Sequence, residues 1–191
     1  LGAHCNVFAI ESFMDEIALA LMADPLEFRL RHLDDARARA VLEHAAQMAS
    51  WAQRRKAEGR GMGLGLSRYK NTGAWCAVVA DVEVQREVHV KKLWIAVDVG
   101  LVVNPDGVRN QIEGGAIQTV SWVLKESVQF DRTHITSNTW ETYPILRFSE
   151  VPQIEIALID RPEEKSLGAG EATQGPVAAA LANAVADALG V

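Results

Sequence analysis

The chain has 191 residues, of which 49% are hydrophobic and 23% are charged, a composition typical of a globular protein that buries one core or two small ones. The formal net charge of -6 gives no basic surface and argues against nucleic acid or an anionic membrane as partner. No long apolar run predicts a membrane span. Two cysteines and five histidines lack metal-ligand spacing, which argues against a zinc site, a protein-held iron-sulfur cluster or a disulfide framework.

The ends of the chain indicate a piece of a longer polypeptide. It begins at Leu1 rather than at a methionine, and it stops one residue after Gly190, a glycine typical of a helix C-terminus. The start of such a piece shows no export signal and cannot show where its parent is sent, so the localisation stays open.

Residues 1–58 are predicted to be a helical segment. Asn6 is a possible N-cap of the first helix, and Asp24 followed by Pro25 predicts the start of a second. Asp34 or Asp35 would cap a third. Apolar residues recur at helical spacing in the first helix, and acidic residues occupy its other face, which predicts one buried apolar stripe. The stripe consists of Ile10, Phe13, Met14, Ile17, Ala18 and Leu21.

Residues 59–191 are predicted to be an α+β unit with a mixed or antiparallel sheet. Glycines alternate with apolar residues in the sequence GMGLGLS, which favours a strand approached closely by another backbone over a phosphate-binding loop. Strands over 75–84 and 88–97 are expected to pair antiparallel. Short strands are also predicted at 128–130 and 153–159, with an aromatic loop at 140–144 between them.

A helix is predicted over residues 108–125, and it contains a glycine pair. Gly114 and Gly115 each cost about 1 kcal/mol relative to alanine in a helix, so close approach of a backbone or a ligand is expected there. Gln111 and Gln118 are seven residues apart and share the helix face that bears the pair. Such an amide could bind a flat heterocycle as donor and acceptor, although two solvent-facing glutamines are the simpler alternative.

The carboxylate of Glu171 stands out in the sequence LGAGEATQGP. Gly168 and Gly170 allow a ligand to come close, and Pro176 suits the first turn of a helix that reaches about Leu189. Glu171 is therefore either a carboxylate that complements the helix dipole or a working acid or base. No nucleophile motif and no nearby second carboxylate support a hydrolase.

The order of these segments resembles the C-terminal part of the molybdopterin-binding large subunit of the xanthine oxidase and aldehyde oxidase family, most closely the branch of isoquinoline 1-oxidoreductase beta subunits. The resemblance covers nearly the whole chain. It is carried by the segments AIESFMDEIA, DPLEFRLRHL, AVDVGLVVNPDGVRNQIEGGAIQ, YPILRFSEVPQIEIALIDRP and GAGEATQGPVAAALANAV.

The resemblance implies a molybdenum-pterin cofactor, as molybdopterin or its cytosine dinucleotide form. The metal would be held by the pterin and not by the protein. Glu171 would be the general base for oxidative hydroxylation of an aldehyde or N-heterocycle, with water as the oxygen source. Gln118 would contact the pterin, with Gly114, Gly115 and Gly170 leaving room for it. Electrons would leave through a small iron-sulfur subunit.

The resemblance also implies that the site is incomplete in this chain. Further pterin contacts are expected from the remainder of the large subunit, upstream of these residues, so cofactor binding by the chain alone is not expected. Two other interpretations compete with the hydroxylase. One is a noncatalytic assembly or binding module that keeps the fold, and the other is a nucleotide-binding protein, which the context of the glycine motifs disfavours.

Overall fold

The computed structural model describes residues 2–191, which form five α-helices and one four-stranded sheet. The helices are α1 (Gly2–Ala20), α2 (Pro25–His32), α3 (Ala36–Met48), α4 (Pro105–Leu124) and α5 (Gln174–Leu189). The strands are β1 (Arg60–Arg68), β2 (Trp75–Val84), β3 (Val88–Asp98) and β4 (Gln153–Leu158). Neighbours pair in the order β1-β2-β3-β4, antiparallel except for the parallel pair β3 and β4. The predicted α+β class with a mixed sheet is confirmed.

Helices cover both faces of the sheet. Successive residues of β2 point to opposite faces, and both sets are buried because each face has a helical layer. Cys76 and Val78 face the core that contains α4 and α5. Ala77 and Val79 face the core that contains α3. None of the helices in residues 2–191 is long and apolar enough to cross a membrane.

The predicted close approach to the glycine strand is confirmed, and the approaching backbone is that of α5. A β-carbon on Gly61 would lie 2.2 Å from the carbonyl oxygen of Ala184, and one on Gly65 would lie 2.4 Å from that of Pro176. The strand and the helix are therefore in backbone contact. This contact determines where the N-terminus of α5, and the Glu171 loop before it, lie on the sheet.

We expect Gly63→Ala to destabilise the protein. The β-carbon of an alanine at position 63 would lie 2.2 Å from the amide nitrogen of Ala184 and 2.4 Å from the carbonyl oxygen of Ala180. Both are backbone atoms, which cannot relieve the clash by a change of rotamer. Overpacking of this kind costs about 3 kcal/mol, which urea denaturation would show as a lower free energy of unfolding. Gly114→Ala is the control, since no atom lies within 4 Å of its β-carbon. Equal stability of the two variants would contradict the prediction.

The predicted N-caps of the second and third helices are confirmed. Asp24 caps α2 by accepting hydrogen bonds from the amides of Leu26 and Glu27, and Asp35 caps α3 in the same way. Two details were wrong. The first helix begins at Gly2, so Asn6 lies inside it and is not its cap. Residues 128–130 form no strand and contribute one isolated bridge between Phe130 and Ile135.

The predicted buried stripe of α1 is only partly confirmed: Ala18 is buried, but most of the apolar stripe is not, and two of the acidic residues pack inward. Ile10 and Phe13 are each 60% exposed, whereas Glu11 and Asp15 are only 7% and 8% exposed. The reason is Arg29 of α2, which is buried between the two carboxylates and donates to both. Burial raises the pKa of Asp15 to about 6, more than the charge of Arg29 lowers it.

Another buried carboxylate joins the helical segment to the sheet. Asp98 at the end of β3 accepts hydrogen bonds from the guanidinium groups of Arg37 and Arg161 and from the amide of Gly100. Burial of this carboxyl raises its pKa, but these hydrogen bonds outweigh the effect and hold the pKa below its usual range. Asp98 is a structural anchor of the turn that leads toward α4.

Candidate functional site

The loop that carries Glu171 lies against the glycine-bearing part of α4. A β-carbon on Gly170 would lie 3.6 Å from the amide oxygen of Gln111, and one on Gly115 would lie 4.0 Å from the carbonyl oxygen of Gly170. Glu171 itself is exposed, three residues before α5 begins at Gln174. The structure therefore brings the Glu171 loop and the glycine pair of α4 together, although they are distant in the sequence.

One face of α4 runs past this loop. Asn104 caps the helix by accepting a hydrogen bond from the Gly107 amide at 2.9 Å, and Pro105 is its first residue. Helical periodicity places Gln111, Gln118 and Trp122 on a common face. Gln111 and Gln118 are both exposed. This face therefore presents two exposed side-chain amides and one aromatic ring.

The two glycines of this helix have different surroundings. Gly114 is exposed, and a β-carbon there would have no neighbour within 4 Å, so open space lies above it. Gly115 is buried, and its β-carbon would lie 2.5 Å from the hydroxyl oxygen of Thr173. Packing against Thr173 is sufficient reason for glycine at 115, whereas the opening at 114 is available to a ligand. Contact of either glycine with a cofactor stays a prediction.

A cavity of about 350 Å³ adjoins Glu171. It is formed where α1, the end of β1, α4 and the start of α5 meet. Its lining is mostly apolar and consists of Ala3, His4, Cys5, Val7, Ser67, Tyr69, Trp122, Glu171, Gln174 and Gly175. Such a concave apolar space with few polar groups is typical of a small-molecule site.

Aromatic side chains form one wall of the cavity. The rings of His4 and Trp122 meet edge to face with centroids 5.6 Å apart. The Nδ1 atom of His4 lies 2.9 Å from the carbonyl oxygen of Gln174, which ties the start of α1 to the start of α5. Val7 also packs against the start of α5, because its Cβ atom lies 2.6 Å from where a β-carbon on Gly175 would be. The N-terminal turns of α1 are therefore part of the site.

Tyr69 also lines the cavity and contacts Glu171 directly. It begins a short 3-10 helix, Tyr69–Asn71, between β1 and β2, and its hydroxyl donates a hydrogen bond to Oε2 of Glu171. The Lys70 ammonium lies 5.0 Å from the centre of the Tyr69 ring. Its contact with Tyr69 and, more weakly, the charge of Glu171 raise the pKa of Lys70 above its usual value.

Sequence reasoning missed most of the cavity wall. Trp122 could have been found, because it follows Gln118 by one helical turn. No sequence signal joins His4 or Tyr69 to Glu171, since they come from distant segments. The aromatic loop predicted at 140–144 contributes Trp140 and Tyr143 to a separate depression.

The site holds no ready-made metal ligand set. Among residues 2–191, no group of three or more His, Cys, Asp or Glu side chains is arranged to bind a metal ion. Cys5 is exposed at the cavity, and Cys76 is buried in the sheet, where burial raises the pKa of its thiol. Glu171 is thus an isolated carboxylate beside an apolar cavity and an amide-bearing helix face.

Comparison with known proteins gives a consistent result. The family model described as the molybdopterin cofactor-binding domain matches residues 14–152. The chain is 43% identical, over its whole length, to one of the subunits of nicotinate dehydrogenase from Pseudomonas putida and covers 18% of that protein. It is 41% identical, over 84% of its length, to the beta subunit of isoquinoline 1-oxidoreductase from Brevundimonas diminuta and covers 21% of it. The chain therefore spans about a fifth of these relatives.

A solved structure shows the same fold. Aldehyde oxidoreductase from Desulfovibrio gigas matches 100% of the chain with a TM-score of 0.79 and 14% sequence identity, and the chain covers 39% of that protein's chain. At this level of identity the likeness concerns the fold alone.

Proposed function

The chain belongs to the molybdopterin cofactor-binding domain family, and from this premise we propose that it is part of the large subunit of a molybdenum hydroxylase, with Glu171 as general base. Residues 1–58 and 59–191 would both belong to one larger cofactor-binding region. The observation that carries the proposal is the position of Glu171, between an apolar cavity and the exposed amide face of α4.

The residues present fit a pterin-held metal. The Gln118 amide can both donate to and accept from the edge of a pterin, and the open space at Gly114 leaves room for a flat ring. The buried hydroxyl of Thr173, next to Gly115 of α4, has no hydrogen-bond partner within residues 2–191. It is therefore able to form a further hydrogen bond beside this helix face. A metal held by the cofactor needs no ligand from this chain. We propose Gln118, Gly114, Gly115 and Gly170 as the cofactor-binding residues.

When bound, the molybdenum cofactor supplies the two-electron oxidation. Glu171 supplies the proton acceptor, because an ionised carboxylate within hydrogen-bond reach of a water-derived hydroxyl can take its proton. The apolar wall of the cavity excludes bulk water around the reacting carbon. Residues of this chain would therefore accept the proton and orient the substrate.

The substrate class we propose is a nitrogen heterocycle, with an aldehyde as the alternative. Two of the relatives are named for nicotinate and isoquinoline, both nitrogen heterocycles, and another is named as an aldehyde dehydrogenase. The wall made by His4, Trp122 and Tyr69 suits a flat ring, which aromatic side chains can contact by stacking or edge to face. We further propose that the remainder of the large subunit completes the site and that a separate iron-sulfur subunit receives the electrons.

Metal and pterin analysis of the full-length protein, purified with its partners, tests the proposal. We expect molybdenum and pterin in equal amounts. Absence of both, with adequate molybdenum supplied during growth, would overturn the hydroxylase and favour a noncatalytic assembly or binding module with the same fold.

Gln118→Leu is expected to lower cofactor occupancy. One hydrogen bond contributes on the order of 1 kcal/mol, so we expect about 2- to 10-fold weaker retention of the pterin. The measurement is the molybdenum and pterin content per protein after expression with limiting molybdate. Gln47→Leu is the matched control, because Gln47 is also an exposed helical glutamine but lies on α3. The same loss in both variants would contradict a pterin contact at Gln118.

A further inference from the structure

We propose that Tyr69 is a positioning residue for Glu171, an inference that rests on the proposed role of Glu171 as base. Its hydroxyl donates a hydrogen bond to Oε2 of the carboxylate across 102 positions of sequence. Both side chains line the same cavity. The hydrogen bond leaves Oε1 of Glu171 available to accept a proton.

The loop places the backbone of Glu171, but within residues 2–191 the hydrogen bond that orients its carboxylate comes from Tyr69. Gly168 and Gly170 lie on the N-terminal side of Glu171, and both are exposed. No atom lies within 4 Å of the position of a β-carbon on Gly168, so nothing packs on that side of the backbone. A carboxylate on such a loop has several rotamers, and a fixed donor is needed to select one of them.

Tyr69, in contrast, is held by a closed turn. Its amide donates to the carbonyl oxygen of Ala74 at 2.9 Å, and its carbonyl oxygen accepts from the amide of Gly73 at 2.8 Å. The ring also packs against Gly73, where its Cδ1 atom would lie 3.2 Å from a β-carbon. The phenol is thus fixed just after β1 and can orient the Glu171 carboxylate that accepts its hydrogen bond.

The turn has an unusual backbone that supports a dedicated role. Lys70 and Asn71 both have positive φ, of 49° and 58°, a conformation that costs free energy in residues other than glycine. These two residues directly follow Tyr69 and bring the chain around toward β2. The two strained residues therefore directly follow the tyrosine whose hydroxyl contacts the Glu171 carboxylate.

A phenol is chemically suited to this task. Its hydroxyl donates one hydrogen bond, and a hydrogen bond to a carboxylate is among the stronger ones in proteins. Phenylalanine would keep the ring and the cavity wall but would lose the donor. Tyr69→Phe therefore separates orientation of Glu171 from packing.

The test uses the full-length holoenzyme. We expect Tyr69→Phe to lower kcat by about 5- to 30-fold with KM within about twofold, since a hydrogen bond to a charged group is lost while the apolar wall is kept. Molybdenum and pterin contents should equal those of wild type. Tyr143→Phe is the matched control, because its hydroxyl also donates to a carboxylate, that of Glu126 at 2.8 Å, outside the cavity.

Two further readouts identify Glu171 as the group through which Tyr69 acts. In a Glu171→Gln background, Tyr69→Phe should change kcat by less than about twofold, because coupled residues are non-additive. In crystal structures of the full-length protein, the Glu171 carboxylate should leave its wild-type position when Tyr69 is phenylalanine. An unmoved carboxylate, additive losses, or unchanged or raised kcat in Tyr69→Phe would overturn the inference.

The outcomes separate this inference from the proposed function. If Glu171→Gln keeps wild-type activity, the assignment of Glu171 as base fails. If Glu171→Gln is inactive and Tyr69→Phe behaves as wild type, only the role of Tyr69 fails.

Discussion

Replacing Glu171 with glutamine in the full-length protein is expected to lower kcat by about 100- to 10,000-fold, the usual contribution of a general base. Glutamine has nearly the same shape and can still accept the hydrogen bond from Tyr69, but its amide cannot take a proton. Because the change leaves the α4 face intact, molybdenum and pterin contents should stay at wild-type levels. Steady-state hydroxylation kinetics together with metal analysis would measure both effects.

Glu163→Gln provides the control for this experiment. Glu163 is an exposed carboxylate in the segment between β4 and α5, and it lies outside the cavity that Glu171 lines. We expect its loss to leave kcat unchanged. If Glu171→Gln kept near-wild-type hydroxylation while retaining its cofactor, Glu171 would be a surface carboxylate that complements the helix dipole.

Arg29→Met is expected to cause the largest loss of stability, about 3–5 kcal/mol, as is typical when one partner of a buried ionic group is removed. The Arg29 side chain is 3% exposed and donates to Oε2 of Glu11 at 2.9 Å and to the carboxylate of Asp15. Its second terminal nitrogen donates to the carbonyl oxygen of Glu11 at 2.7 Å. Methionine fills similar space but leaves two carboxylates buried without a counter-charge.

The consequence reaches the site, because these carboxylates hold α1 in place. The first turns of α1 carry His4 and Val7, so loosening the helix would open the cavity beside Glu171. Urea denaturation followed by tryptophan fluorescence would measure the stability. Arg31→Met is the control, since Arg31 is exposed on the same helix and its loss should change the free energy of unfolding by less than about 0.5 kcal/mol.

A rescue variant makes the explanation specific. Combining Arg29→Met with Glu11→Gln and Asp15→Asn removes all three charges, so no buried ion is left unpaired. We expect this triple variant to recover part of the lost stability. A triple variant less stable than Arg29→Met would show that packing of the arginine, and not charge balance, holds α1.

Local patterns were sufficient to predict most of the elements. The caps at Asp24 and Asp35 follow from short polar side chains that satisfy free amides at a helix start, an interaction confined to a few residues. The close approach at the glycine strand follows from the cost of repeated glycine in a strand, although the sequence did not show that α5 is the approaching element.

The partly wrong prediction for α1 has a physical cause. Periodicity divides a helix into two faces but does not say which face turns inward. The partner that reversed the expectation, Arg29, lies on another helix, and the ion pairs it forms are contacts between elements. Hydrophobic periodicity therefore predicted the helix correctly, but only Ala18 of its apolar stripe is fully buried.

The sequence by itself determined the family, the fold class, and the choice of Glu171 and Gln118 as residues to examine, because those signals lie in short ordered motifs. Only the tertiary structure decided what surrounds Glu171. It brought Tyr69, Trp122 and His4 together from three distant segments, and it showed Gly115 packed against Thr173 while Gly114 stays open. The physical reason is that a cavity is made by contacts between elements, and no local pattern encodes which elements meet.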